Sequence, residues 1–61
     1  MLLRYIGEDG SMGLRKGAVY KCGIMDQKID GKVYICVYWT RGADYCPYSS
    51  FKKMFENWEE I

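Results

Sequence analysis

Asp30-Gly31-Lys32-Val33-Tyr34-Ile35-Cys36-Val37-Tyr38-Trp39 is the stretch on which the fold turns. From Val33 to Trp39 every side chain is β-branched, aromatic or a thiol, the composition of a strand, and its apolar residues recur with the strand's period of two. Asp30-Gly31 tolerates positive φ at both central positions of a type I′ turn, so it closes a two-residue hairpin. The antiparallel partner is then Ala18 to Ile29. With Asp30 and Gly31 as the turn, Ile29 faces Lys32, Met25 faces Cys36, Ile24 faces Val37 and Cys22 faces Trp39. One face collects Tyr20, Cys22 and Ile24 with Ile35, Val37 and Trp39. The other collects Lys21, Gly23, Met25 and Gln27 with Tyr34, Cys36 and Tyr38. A slip of one residue would mix the two sets, so the pattern supports the register. Opposite Gly23 stands Tyr38, whose ring can cover the bare backbone.

Outward from the hairpin, Leu2 to Ile6 reads as a first strand and Gly7 to Gly13 as a loop rich in glycine and acid. Leu14 returns to the core and Gly17 opens the second strand. On the other side, Arg41-Gly42 reads as a turn and Ala43 to Cys46 as a short strand that Pro47 ends for want of an N–H donor. Phe51, Met54, Phe55 and Trp58 then fall at i, i+3, i+4 and i+7, one apolar helical stripe. Ser49 or Ser50 caps its start, and Asn57 suits a left-handed position past its end. Lys52, Lys53 and Glu56 oppose the helix dipole, so the helix depends on packing. Residues 58–61 return to extended form and pair with the first strand. The expected interior is Tyr20, Cys22, Ile24, Val33, Ile35, Val37, Phe51, Phe55 and Trp58.

The 61 residues have room for one domain, and a 16% aromatic share means that large rings supply much of its burial. Nine Lys and Arg against eight Asp and Glu give a net charge of +1, too little to steer the chain onto nucleic acid or anionic lipid. Arg4 interrupts Leu2 and Leu3, so neither a leader nor a membrane span is expected. The three cysteines, Cys22, Cys36 and Cys46, are odd in number and far apart. A reduced, cytoplasmic chain follows. With no histidine and no CxxC pair, no metal and no cofactor is expected.

The order of elements resembles that of the SH3-like small barrels: five short strands, a long first loop and one helical turn before the last strand. That resemblance implies a mainly β, five-stranded small barrel over residues 1–61. Arg4-Tyr5-Ile6-Gly7, Gly13-Leu14-Arg15-Lys16-Gly17-Ala18-Val19-Tyr20 and the ending Tyr48-Ser49-Ser50-Phe51 through Asn57-Trp58-Glu59 are similar to small uncharacterised proteins of phages and mobile elements of Gram-positive bacteria. These motifs are glycines and packed rings, so they imply a fold and bring no activity. The Ala-Leu-Tyr-Asp-Tyr stretch, paired Trp and Pro-Asn-Tyr turn of peptide-binding SH3 domains are missing.

Catalysis needs a nucleophile, a base and an orienting group in one pocket. No histidine is present, and Asp26, Asp30, Glu8 and Asp9 read as solvated turn and loop residues. The glycines do not form GxxxxGK[ST]. Each cysteine reads as a small buried hydrophobe, with Cys46 the one solvent can reach. An enzyme is not expected. What remains is the hairpin's second face: Met25, Ile29, Tyr34 and Tyr38, with Lys21 and Lys32 at its margins. Either these rings pack on the first loop or the helix, or they form a recognition surface for a partner protein or a second copy of the chain. The alternative is a small nucleic-acid-binding barrel that stacks bases on Tyr34 and Tyr38 and holds phosphates with Lys21, Lys32 and Arg41.

Overall fold

The computed structural model describes residues 1–39 and 44–61. The turn expected at Arg41-Gly42 and the strand start at Ala43 lie outside the described residues. Among the described residues are six strands, β1 (Leu2–Tyr5), β2 (Val19–Lys21), β3 (Gly23–Ile29), β4 (Lys32–Tyr38), β5 (Tyr45–Tyr48) and β6 (Trp58–Glu60), and one short α-helix, α1 (Phe51–Phe55). The chain is mainly β. It forms two antiparallel three-stranded sheets, ordered β2-β1-β6 and β3-β4-β5.

The hairpin stands in the expected register: Ile29 faces Lys32, Met25 faces Cys36 and Ile24 faces Val37. Asp30 and Gly31 hold φ of 51° and 82°, the two positive values of a type I′ turn. Upstream, the structure corrects the reading of one strand over 18–29, which divides into β2 and β3. Cys22 exchanges backbone hydrogen bonds with Met1 at 2.7 and 2.9 Å and so still belongs beside β1. One residue later, Gly23 pairs with Tyr38. The chain therefore leaves one ladder for the other at Cys22, and among the described residues no ladder joins the two sheets.

Pro47 does not end β5 but sits within it, opposite Cys36. The alternation set by the hairpin explains this. Residues flanking a two-residue turn exchange both backbone bonds, so Lys32, Tyr34, Cys36 and Tyr38 point their polar groups at β3, while Val33, Ile35 and Val37 point theirs at β5. Cys36 and Pro47 are thus a non-bonded pair, and the proline nitrogen lies on an open sheet edge where no donor is needed.

Helix α1 has five residues, is capped by Ser50, whose hydroxyl accepts from the Lys53 N–H at 3.2 Å, and buries only Met54. The expected four-residue stripe is corrected here. Phe51 and Phe55 are 53% and 46% exposed and stack on each other with ring centroids 6.5 Å apart. Val33, also expected inside, is exposed because it lies beyond the reach of the core at the turn end of β4. Nor does Asn57 take up a left-handed conformation. Its N–H bonds Met54 O while its own carbonyl accepts from Ile6 N, and the chain runs directly into β6.

The core is Leu3, Tyr5, Leu14, Cys22, Val37, Met54 and Trp58, with Tyr20, Ile24, Ile35, Trp39, Cys46 and Tyr48 packed around it. Trp58 is its centre. The indole meets Tyr5, Tyr20 and Trp39 at centroid distances of 5.1, 6.1 and 6.1 Å, and its Nε1–H donates to the Tyr48 hydroxyl at 2.9 Å. The first loop is closed by Asp9, whose carboxylate accepts from the Lys16 N–H at 2.9 Å and from Arg15 Nε at 3.3 Å. The Lys16 N–H bond and the Arg15 charge beside it outweigh desolvation and hold that carboxyl below its usual range.

Two glycines should respond oppositely to substitution. A Cβ on Gly7 would lie 2.5 Å from Asn57 Oδ1 and 2.6 Å from the Tyr5 hydroxyl, so Gly7→Ala should cost about 1–3 kcal/mol as overpacking. Gly23 has no positive φ and open space around it, so Gly23→Ala should stabilise by about 0.5–1 kcal/mol. Urea unfolding of both variants checks the pair.

A second test concerns Tyr48, whose phenol burial pushes up from 10.0 to about 12 against the opposing hydrogen bond from Trp58. The folded state favours the neutral phenol, so this contribution is complete below pH 10 and is lost as pH rises through about 12. Tyr48→Phe should flatten stability against pH across that window. At neutral pH it should cost about 1 kcal/mol, because the Trp58 donor loses its acceptor.

Candidate functional site

Side chains alternate across β4, so the strand that supplies Ile35 and Val37 to the core must present Tyr34, Cys36 and Tyr38 on the opposite side. The register sets Gln27 against Tyr34, Met25 against Cys36 and Gly23 against Tyr38, and β5 adds Tyr45 beside Tyr38 and Pro47 beside Cys36. Helix α1 packs against β4, β5 and β6 and puts Met54 into the core, which places it on the inner side. No described element covers the outer face.

On that face Met25 is the most open large apolar side chain, 58% exposed, while Ile29, Tyr34 and Tyr38 are half-buried and Lys32 is exposed. Five of the six candidate residues, Met25, Ile29, Tyr34, Tyr38 and Lys32, therefore share one surface. Lys21 does not. It lies in β2, across the break at Cys22, and pairs with Leu2 in the other sheet. Tyr45, expected in the strand ahead of Pro47, and Pro47, expected to end it, join the face although neither was assigned to it from the sequence. The signal that could have found them is the hairpin's alternation carried one strand further.

Tyr38 does not cover Gly23, around which space is open. Its hydroxyl instead donates to Gln27 Oε1, and its ring packs on Tyr45 with centroids 5.4 Å apart. That diagonal reach from Tyr38 to Gln27 crosses the position of Cys36, whose thiol also interacts with Tyr38, and it accounts for a thiol that is fully buried on an outward face yet stands apart from the central cluster. Burial pushes the Cys36 thiol up despite an interaction with Tyr38, and burial likewise raises the thiols of Cys22 and Cys46. All three cysteines are free. Cys46 is half-buried and directs its thiol at Met12 Sδ, 3.6 Å away. Raised pKa values keep all three as thiols at neutral pH, the unreactive form. Among the described residues no group of three His, Cys, Asp or Glu is placed to hold a metal, and no helix is long and apolar enough to cross a membrane.

No protein-family model, no curated protein and no solved structure matches this chain.

The roof over Cys36 is directly testable. Tyr38→Ala should leave the fold intact and make Cys36 accessible to a thiol reagent in the folded protein. In the parent chain Cys36 should react only on unfolding, and Cys46 should be the fastest of the three. Mass spectrometry of the alkylated sites reads the order.

Proposed function

We propose that the chain is a non-enzymatic interaction module that docks a protein partner on the outer face of β3-β4-β5. The observation that carries this reading is Met25, 58% exposed, set among the half-buried rings of Tyr34, Tyr38 and Tyr45 with no described element over them. Such a face offers contact area at low entropic cost, since the rings are already partly fixed by Gln27 and by each other. The architecture we assign to it is an SH3-like small barrel. Counting β2 and β3 as one strand bent at Cys22 gives five strands, with α1 as the helical turn before the last, in support of that assignment.

Binding of nucleic acid is less well supported. Of the cations that reading requires, Lys32 shares the face, Lys21 lies in the other sheet and Arg41 is outside the described residues. A net charge of +1 adds little.

Outward substitutions cost little stability, so Met25→Lys and Tyr34→Ser should each unfold within about 0.5 kcal/mol of the parent. Both should nevertheless abolish capture of the partner from host lysate, and capture by the parent should survive nuclease. Capture that persists in both variants would remove the face from consideration, and capture lost to nuclease would favour nucleic acid.

A further inference from the structure

Each sheet ends in two edge strands, and three of the four are poorly suited to accept another strand. β2 and β6 have three residues each, β6 carrying Glu59 and Glu60, and β5 contains Pro47. The fourth edge is β3, seven residues long, without proline, and exposed from Met25 through Lys28. Long open edges are templates for strand addition. By the hairpin's alternation, Gly23, Met25, Gln27 and Ile29 turn their backbone polar groups to β4, which leaves those of Ile24, Asp26 and Lys28 at the open edge.

We propose that β3 pairs antiparallel with β3 of a second copy about a two-fold axis through Gln27, joining two three-stranded sheets into one of six strands. A two-fold axis perpendicular to the sheet keeps each face on its own side, so only residues of like parity can oppose, and few registers remain. An axis through Asp26 sets Asp26 against itself, and an axis through Lys28 sets Lys28 against itself. Both oppose like charges. An axis through Met25 sets Ile24 against Asp26 and forms no ion pair. With the axis at Gln27, Asp26 faces Lys28 of the second copy and Lys28 faces its Asp26, while Met25 faces Ile29 on the outer side. Neither Asp26 nor Lys28 is engaged in an ion pair among the described residues. Opposite charges spaced by two residues are self-complementary under this symmetry, whereas two lysines at the same positions would repel a second copy. Asp26 and Lys28 then exchange four backbone bonds across the axis. This pairing uses the strand edge and does not depend on Tyr34 or Tyr38 making contact.

Sedimentation from micromolar to millimolar protein, combined with amide exchange, tests the proposal. The parent should dimerise, and the Asp26 and Lys28 amides should gain protection with concentration while Met25, Gln27 and Ile29 are protected throughout. Asp26→Lys or Lys28→Asp alone opposes like charges twice and should weaken the dimer about tenfold or more. The double variant Asp26→Lys/Lys28→Asp should restore it. Tryptophan fluorescence from the buried Trp58 verifies that each variant is folded, and Tyr34→Ser should dimerise like the parent. A parent that stays monomeric at millimolar concentration overturns the proposal. So does a dimer indifferent to the charge swaps, or one lost in Tyr34→Ser, which would place self-association on the outer face instead.

Discussion

The indole of Trp58 is the contact through which the two sheets become one protein. It belongs to β6, yet its Nε1–H bonds Tyr48 of β5 and its ring meets Trp39 just past β4. On its own side it packs on Tyr5 and Tyr20. Three-stranded sheets of this size need an apolar face buried against something else, and the residues clustered with Trp58 come from both sheets. A chain this short buries a smaller fraction of its surface than a larger domain does, so one large ring at the junction carries an unusual share of the total. Its polar atom is satisfied by the same arrangement, for no buried side-chain nitrogen or oxygen among the described residues lacks a partner.

That junction explains which parts of the fold were legible in the sequence. The hairpin was, residue for residue, because a two-residue turn leaves no freedom of register once Asp30-Gly31 is identified. The change of sheet at Cys22 was not. Tyr20, Cys22 and Ile24 all turn toward the core on either side of the bend, so alternation runs unbroken through a point where the hydrogen-bonding partner changes from β1 to β4. Hydrophobic pattern reports which side of a strand is buried and is silent on what the strand pairs with.

The helical stripe misled for a related reason. Its spacing presumed a helix continuing to Trp58, whereas α1 ends at Phe55 and Trp58 enters the core from a strand. In so short a helix the buried side is centred on Met54, and Phe51 and Phe55, one turn apart, flank it and stack outside. The candidate face was legible as far as alternation reached: Met25, Tyr34 and Tyr38 lie where the register puts them. Lys21 fell away with the break at Cys22, and the lean of Tyr38 over Cys36 depends on Gln27, four residues along β3 from the residue it faces. No pairwise register contains such a diagonal contact.

One alternation governs much of what the second sheet can do. Because the turn makes Ile29 and Lys32 a bonded pair, every second residue of β4 is committed to β3 and every other to β5. The same parity sends Ile35 and Val37 inward and Cys36 outward, places the proline nitrogen of β5 where a missing donor costs nothing, and turns the backbone of Asp26 and Lys28 to the open side of β3. The two edges of one sheet thereby acquire opposite characters. Pro47 denies a second strand the donor it would need, whereas β3 presents donors and acceptors that no described strand pairs, flanked by one negative and one positive side chain. Like charges at both positions would repel a second copy about Gln27, whereas Asp26 and Lys28 set unlike charges opposite each other there.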